Sequence, residues 1–163
     1  MNGSKFYRLL VGVVILLLAA CQFPPIPLTP TPTPQAIGCA DFSGFPDNTT
    51  FGNPFWLPNP TGYKFTGLGA PPFVNVSGNV VGLQFADGLE VDLPGSASSV
   101  NLDVASFSQL VGLTALDSSG VAVANANVPS DNIVHNIILA GQGIVKVILK
   151  GGGKEGILVK ICS

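Results

Sequence analysis

Apolar and polar residues alternate with a period of two in stretch after stretch of this chain, and that rhythm sets the class of fold. In "GLEVDL", Leu89, Val91 and Leu93 fall on one side of an extended strand, with Glu90 and Asp92 on the other. "SVNLDV" repeats the pattern, with Val100, Leu102 and Val104 inward and Asn101 and Asp103 outward. In "GIVKVILK" the lysines Lys146 and Lys150 mark a wet face, so Val145, Val147 and Leu149 are expected inside. "EGILVKIC" reads likewise around Lys160, with Ile157, Val159 and Ile161 expected inside. Further strands are expected at 63–66, 73–76, 80–85, 110–116, 120–124 and 133–140. Turns are expected at Asp87-Gly88, Pro94-Gly95, 117–120, 129–132, Gly141–Gly143 and Gly151–Gly153. No stretch sustains a helical period, and 105–110 supplies at most one turn. About ten short strands at this spacing predict an all-β fold, two antiparallel sheets packed face to face.

The 163 residues fit one domain with extras, and 10% charged against 47% hydrophobic residues argues against disorder. Beyond residue 20 there are five lysines, nine acids and no arginine, a poor surface for gripping a phosphate backbone. Nucleic acid is not an expected partner.

The amino terminus has a different texture. Lys5 and Arg8 precede an uninterrupted run from Leu9 to Ala20. As a helix that run spans roughly 18 Å, short of the ~30 Å hydrocarbon core of a bilayer. It reads as a signal peptide over residues 1–20. Leu18-Ala19-Ala20-Cys21 resembles the lipobox of bacterial lipoproteins. The resemblance implies cleavage before Cys21 and a thioether-linked diacylglycerol on its sulfur, an anchor in the cell membrane or outer membrane. An ordinary secretory signal with a free cysteine is the alternative. Residues 21–37 then form a linker. Pro24, Pro25, Pro27, Pro30, Pro32 and Pro34 favour an extended polyproline II spacer reaching roughly 50 Å.

Cys39 and Cys162 bracket the domain expected over 38–163. In an exported chain they are expected to form a disulfide that holds the first strand beside the last. The segments "CADFSG", "SVNLDVA…LVGLTALDSSGVAVA" and "GQGIVKVILKGGGKEGILVKIC" resemble bacterial jelly-roll sandwiches of the galactose-binding-like type. That resemblance implies a jelly-roll-like fold. Many such modules bind carbohydrate and others only join or shield domains. It also implies a structural calcium near the joined termini, for which Asp41 and Glu155 are the candidate ligands.

Phe42, Phe45, Phe51, Phe55, Trp56, Tyr63 and Phe65 cluster among Gly, Pro and Asn, outside the alternating strands. One reading is a glycan-binding rim, with Trp56 and Tyr63 partly exposed and Asn53 and Asn59 bonding hydroxyls. The other, favoured for most of the rings, is a plug closing the sandwich. His135 is the only histidine and lacks a recognisable nucleophile motif nearby. Glu90, Asp92 and Asp103 occupy ordinary outward positions, and no catalytic residue is assigned. The sequence therefore reads as a cell-envelope lipoprotein displaying a non-catalytic binding module, with carbohydrate as the expected ligand. The rival is a structural or adhesion module contacting another envelope protein through outward apolar residues such as Ile148 and Leu158. A hydrolase with paired carboxylates stands third.

Overall fold

The computed structural model describes residues 38–57 and 62–163. The expected signal peptide, Cys21, the linker as far as Ile37, and Asn59 lie outside them. The described chain is almost wholly antiparallel β-structure: β1 (Cys39–Asp41), β2 (Phe55–Trp56), β3 (Lys64–Leu68), β4 (Phe73–Ser77), β5 (Val80–Phe85), β6 (Gly88–Ser106), β7 (Val111–Asp117), β8 (Ala122–Val128), β9 (His135–Gly151) and β10 (Gly156–Cys162). A single 3-10 turn, Gly152–Lys154, precedes β10. The segment 105–110 makes no helix; it ends β6 and bends into β7.

Two expected turns do not reverse the chain. β6 runs through Pro94-Gly95 and β9 through Gly141–Gly143, and the two pair with each other on both sides of these points. Register shifts between Asp92 and Ala97 and between Ala97 and Ser99 mark the bend in β6. Each long strand thereby serves two layers. The first is β2-β3-β6-β9-β7-β8, using the amino-terminal half of β6 and the carboxy-terminal half of β9. The second is β4-β5-β10-β6-β9, using the other halves, with β1 sharing the edge of β10. The result is a jelly-roll-like β-sandwich whose layers join through bent strands into one hydrogen-bonded network.

The core sits between the layers. Phe65, Leu89, Val91, Leu113, Val147 and Leu149 come from the first layer, and Leu83, Val100, Leu102, Val104, Leu139 and Ile161 from the second. Alternation places these as expected, except along β10. A bulge between Leu158 and Lys160 shifts the register there, so Leu158 is fully buried in the core while Val159 is half-buried. Leu158 is thus not an outward apolar residue, and Ile148 is half-buried rather than open. Val145, expected inside, is also half-buried.

The disulfide forms as expected. Cys39 and Cys162 are direct cross-strand partners of β1 and β10, with Cα atoms 4.2 Å apart. They close a loop with a sequence separation of 123.

Candidate functional site

The aromatic cluster resolves into a plug and one outlier. Phe42 is fully buried and stands edge-on to Phe65, with centroids 5.2 Å apart. Phe51, Phe55 and Phe65 stack in series at 4.3 and 5.1 Å. Offset and edge-to-face pairs of this kind add to the gain from burial. Tyr63, expected partly exposed, is fully buried. Its hydroxyl reaches the Gly38 carbonyl at 3.0 Å and the Ser163 hydroxyl at 2.7 Å, tying the two ends of the domain together. Burial pushes the Tyr63 phenol above its ordinary pKa, against the hydrogen bond from Ser163.

Trp56 takes the opposite side. Strand alternation turns Phe55 into the stack and Trp56 outward, where it is 59% exposed. Its cross-strand neighbour on β3 is Lys64, which pairs in turn with Asp92 on β6, and Asp92 with Lys146 on β9. These four side chains make one row across the outer face of the first layer. The next row holds Thr66, Glu90, Ile148, Thr114 and Asn125 in register. At about 4.8 Å between strands, β2 to β8 covers roughly 24 Å.

The row is tied together electrostatically. The Lys64 ammonium lies 5.9 Å from the Trp56 ring centroid and 3.2 Å from the Asp92 carboxylate. Lys146 reaches Glu90 at 2.8 Å and Asp92 at 3.2 Å. The hydrogen bond to Glu90 leads in raising the Lys146 pKa above its ordinary value; burial opposes it, and the hydrogen bond to Asp92 adds to the rise. Glu90 and Asp92 hold Lys146 between them, an arrangement that orients donors and acceptors rather than setting an acid against a base. Asp103 lies in the other layer, where the Asn136 amide donates to it at 2.6 Å.

The remaining candidates separate. Asn53 spends its carboxamide on the Gly67 backbone, donating to the carbonyl at 3.0 Å and accepting from the N–H at 2.9 Å. It shapes the loop before β2 and is not presented to a ligand. Asp41 and Glu155 do not meet. Asp41 pairs with Lys160 across the strand, whereas Glu155 precedes the other end of β10, roughly 17 Å away along the strand. Asp41 instead accepts from the Ser43 hydroxyl at 2.6 Å and its N–H at 2.9 Å, and the hydroxyl bond leads in lowering its pKa. Among the described residues no three His, Cys, Asp or Glu side chains gather as a metal site. His135 faces Asp131, with Nε2 3.0 Å from both carboxylate oxygens, and this contact holds the Asp131 carboxyl below its usual range. A shallow depression of about 300 Å³ is lined by Ala86, Asp87, Gln109, Gly151, Gly153 and Lys154. The N–H groups of Gly151, Gly152 and Lys154 beside it already donate to Asp87, Leu110 and Ala86 carbonyls.

Sequence reasoning singled out Trp56 but not Lys64 and Lys146 as its companions. Lys146 was visible only as a marker of a wet face and Lys64 only as one of five lysines beyond residue 20, and the pairing that aligns them with Trp56 links segments far apart in the chain.

No protein-family model matches the chain, and no curated protein matches it. Among solved structures it is similar to a mutant family 29 carbohydrate-binding module at 14% identity and a TM-score of 0.46, over 78% of this chain and 86% of that one. A mutant of that module complexed with mannohexaose gives 12%, 0.44, 78% and 86%. The family 29 module without a stated mutation gives 12%, 0.42, 78% and 84%. At these values the binding residues have to be argued from this chain alone.

Proposed function

We propose that this protein is a non-catalytic carbohydrate-binding module, carried at the cell envelope on a lipid-modified Cys21 and a proline-rich spacer. The observation that supports the binding role is the open Trp56 ring, next in β2 to Phe55 of the phenylalanine stack and continued by Lys64, Asp92, Lys146 and Glu90. A flat aromatic face stacks on the C–H-rich face of a sugar ring, and fixed ammonium and carboxylate groups bond its hydroxyls. The row runs across the strands from the exposed Trp56 ring, which suits a sugar chain laid across them. The lipid anchor and envelope location rest on the lipobox resemblance of residues 18–21.

Of the outward apolar residues that favoured the rival reading, an adhesion surface, Leu158 is in the core and Ile148 is half-buried, while Trp56 is exposed. Pull-down of the full chain on a panel of immobilised polysaccharides tests the proposal. Trp56→Ala should weaken retention about tenfold, the order of one lost aromatic stacking contact. It should leave the unfolding midpoint in place, since the ring is exposed. Retention undiminished in Trp56→Ala, or no retention on any polysaccharide, would contradict it.

A further inference from the structure

Any pull on the segment before Gly38 enters the domain at Cys39, and the chain that follows is lightly held. β1 has three residues and, among the described residues, pairs only with β10. The loop after it is fixed by isolated backbone bonds: Phe42 donates to the Val159 carbonyl at 2.9 Å, Asn48 to the Val74 carbonyl at 2.9 Å, and Val74 to the Thr49 carbonyl at 2.8 Å. β2 has two residues, pairs with β3, and carries Trp56. Single backbone bonds loaded one after another give way in turn, since each contributes little net. The buried rings of Phe42 and Phe55 resist, yet they too are loaded singly. Tension that met nothing else would run along this stretch and lift Trp56, seventeen positions beyond Cys39, away from Lys64.

The disulfide gives that tension another route. Cys39 is bonded through sulfur to Cys162, the last residue of β10. β10 pairs with β6 along most of its length and with β5 at Gly156–Leu158, and it buries Ile157, Leu158 and Ile161. Those contacts resist together. The Tyr63 hydroxyl adds a bond from the core to the Gly38 carbonyl at 3.0 Å, on the tether side of the bridge. We propose that the Cys39–Cys162 disulfide is a load-bearing joint, which passes tension from the amino-terminal segment straight into β10 and leaves β1, the loop and Trp56 unloaded. This rests on the reading of residues 1–37 as a tether and of Trp56 as a ligand contact. A module held by its amino end while its outer face grips a polysaccharide is pulled between these two places.

Force spectroscopy of the full chain tests the joint without sugar. The chain is held through its amino-terminal segment and pulled by a click handle on an azide-bearing residue in place of Asn127, exposed on β8. The oxidised chain should show no step before the sandwich itself yields. After reduction in place, an early, lower-force step of roughly 60 Å should appear, the reach of the seventeen residues from Cys39 to Trp56. The double variant Cys39→Ser, Cys162→Ser should show the same step if circular dichroism finds it folded, and the reduced wild type decides if it does not. A reduced chain without the step, a step that ends well short of Trp56, or an oxidised chain that shows it overturns the joint. In a second arm, oxidised and reduced chains on polysaccharide-coated beads should be retained equally at rest, and the reduced chain should detach sooner under flow. Equal detachment overturns the protection of Trp56. Failure of both to bind at rest contradicts the sugar reading and leaves the handle measurement to decide the joint.

Discussion

Trp56 and Tyr63 are both amphipathic aromatics in one loop-rich segment, yet one faces water and the other is sealed inside. Alternation along β2 and β3 decides this. Trp56 shares the outer side with Lys64, whereas Tyr63 precedes Lys64 and turns inward, where Gly38 and Ser163 satisfy its hydroxyl. The alkaline stability of the domain should register that burial. The unfolded phenol ionises near its ordinary value of 10.0, while the folded one resists because burial raises its pKa. Stability from this source is fully present below pH 10 and is lost as pH rises above it. Lys146, also raised, acts in the same direction from its ordinary 10.5 upward. Tyr63→Phe should cost roughly 1–2 kcal/mol at neutral pH, from unsatisfied partners. It should also flatten the fall in urea midpoint above pH 10. Equal alkaline slopes in wild type and variant would argue against this role.

At the scale of elements, strands and faces were legible and the bends were not. "GLEVDL", "SVNLDV" and "GIVKVILK" carry their inward residues in plain alternation, and the structure buries Leu89, Val91, Val100, Leu102, Val104, Val147 and Leu149. Pro94-Gly95 and Gly141–Gly143 look locally like turns. Only the partner strand shows that the chain bends onward there, because β6 and β9 bend together and keep pairing. The bulge in β10 was equally hidden: a one-residue slip exchanges Leu158 for Val159, and nothing in "ILVKIC" signals it. The row through Trp56 was legible as single residues, whereas its alignment depends on non-local register. The pairing of β1 with β10 makes the disulfide the clamp of the domain's two ends. Removing it with Cys39→Ser and Cys162→Ser together should cost about 5 kcal/mol in the chain-entropy model. Urea unfolding of the double variant checks this, and an unchanged midpoint would show that the short strand pairing alone suffices.

Across the whole molecule, the first layer carries the binding role that we propose, with one open ring and a charge-paired row on its outer face. Behind that face the phenylalanine plug and Tyr63 are packed into the core, so a ligand is expected to find the row already in place and to order little of the protein on binding. The most direct test is a titration of isotope-labelled protein with a retained oligosaccharide, followed by amide and indole resonances. The account predicts shifts confined to Trp56, Lys64, Asp92, Lys146 and Glu90 on the outer face of the first layer, with the resonances of Phe42 and Tyr63 unmoved. Shifts centred on the second layer or on the depression beside Lys154, with the Trp56 indole silent, would contradict it.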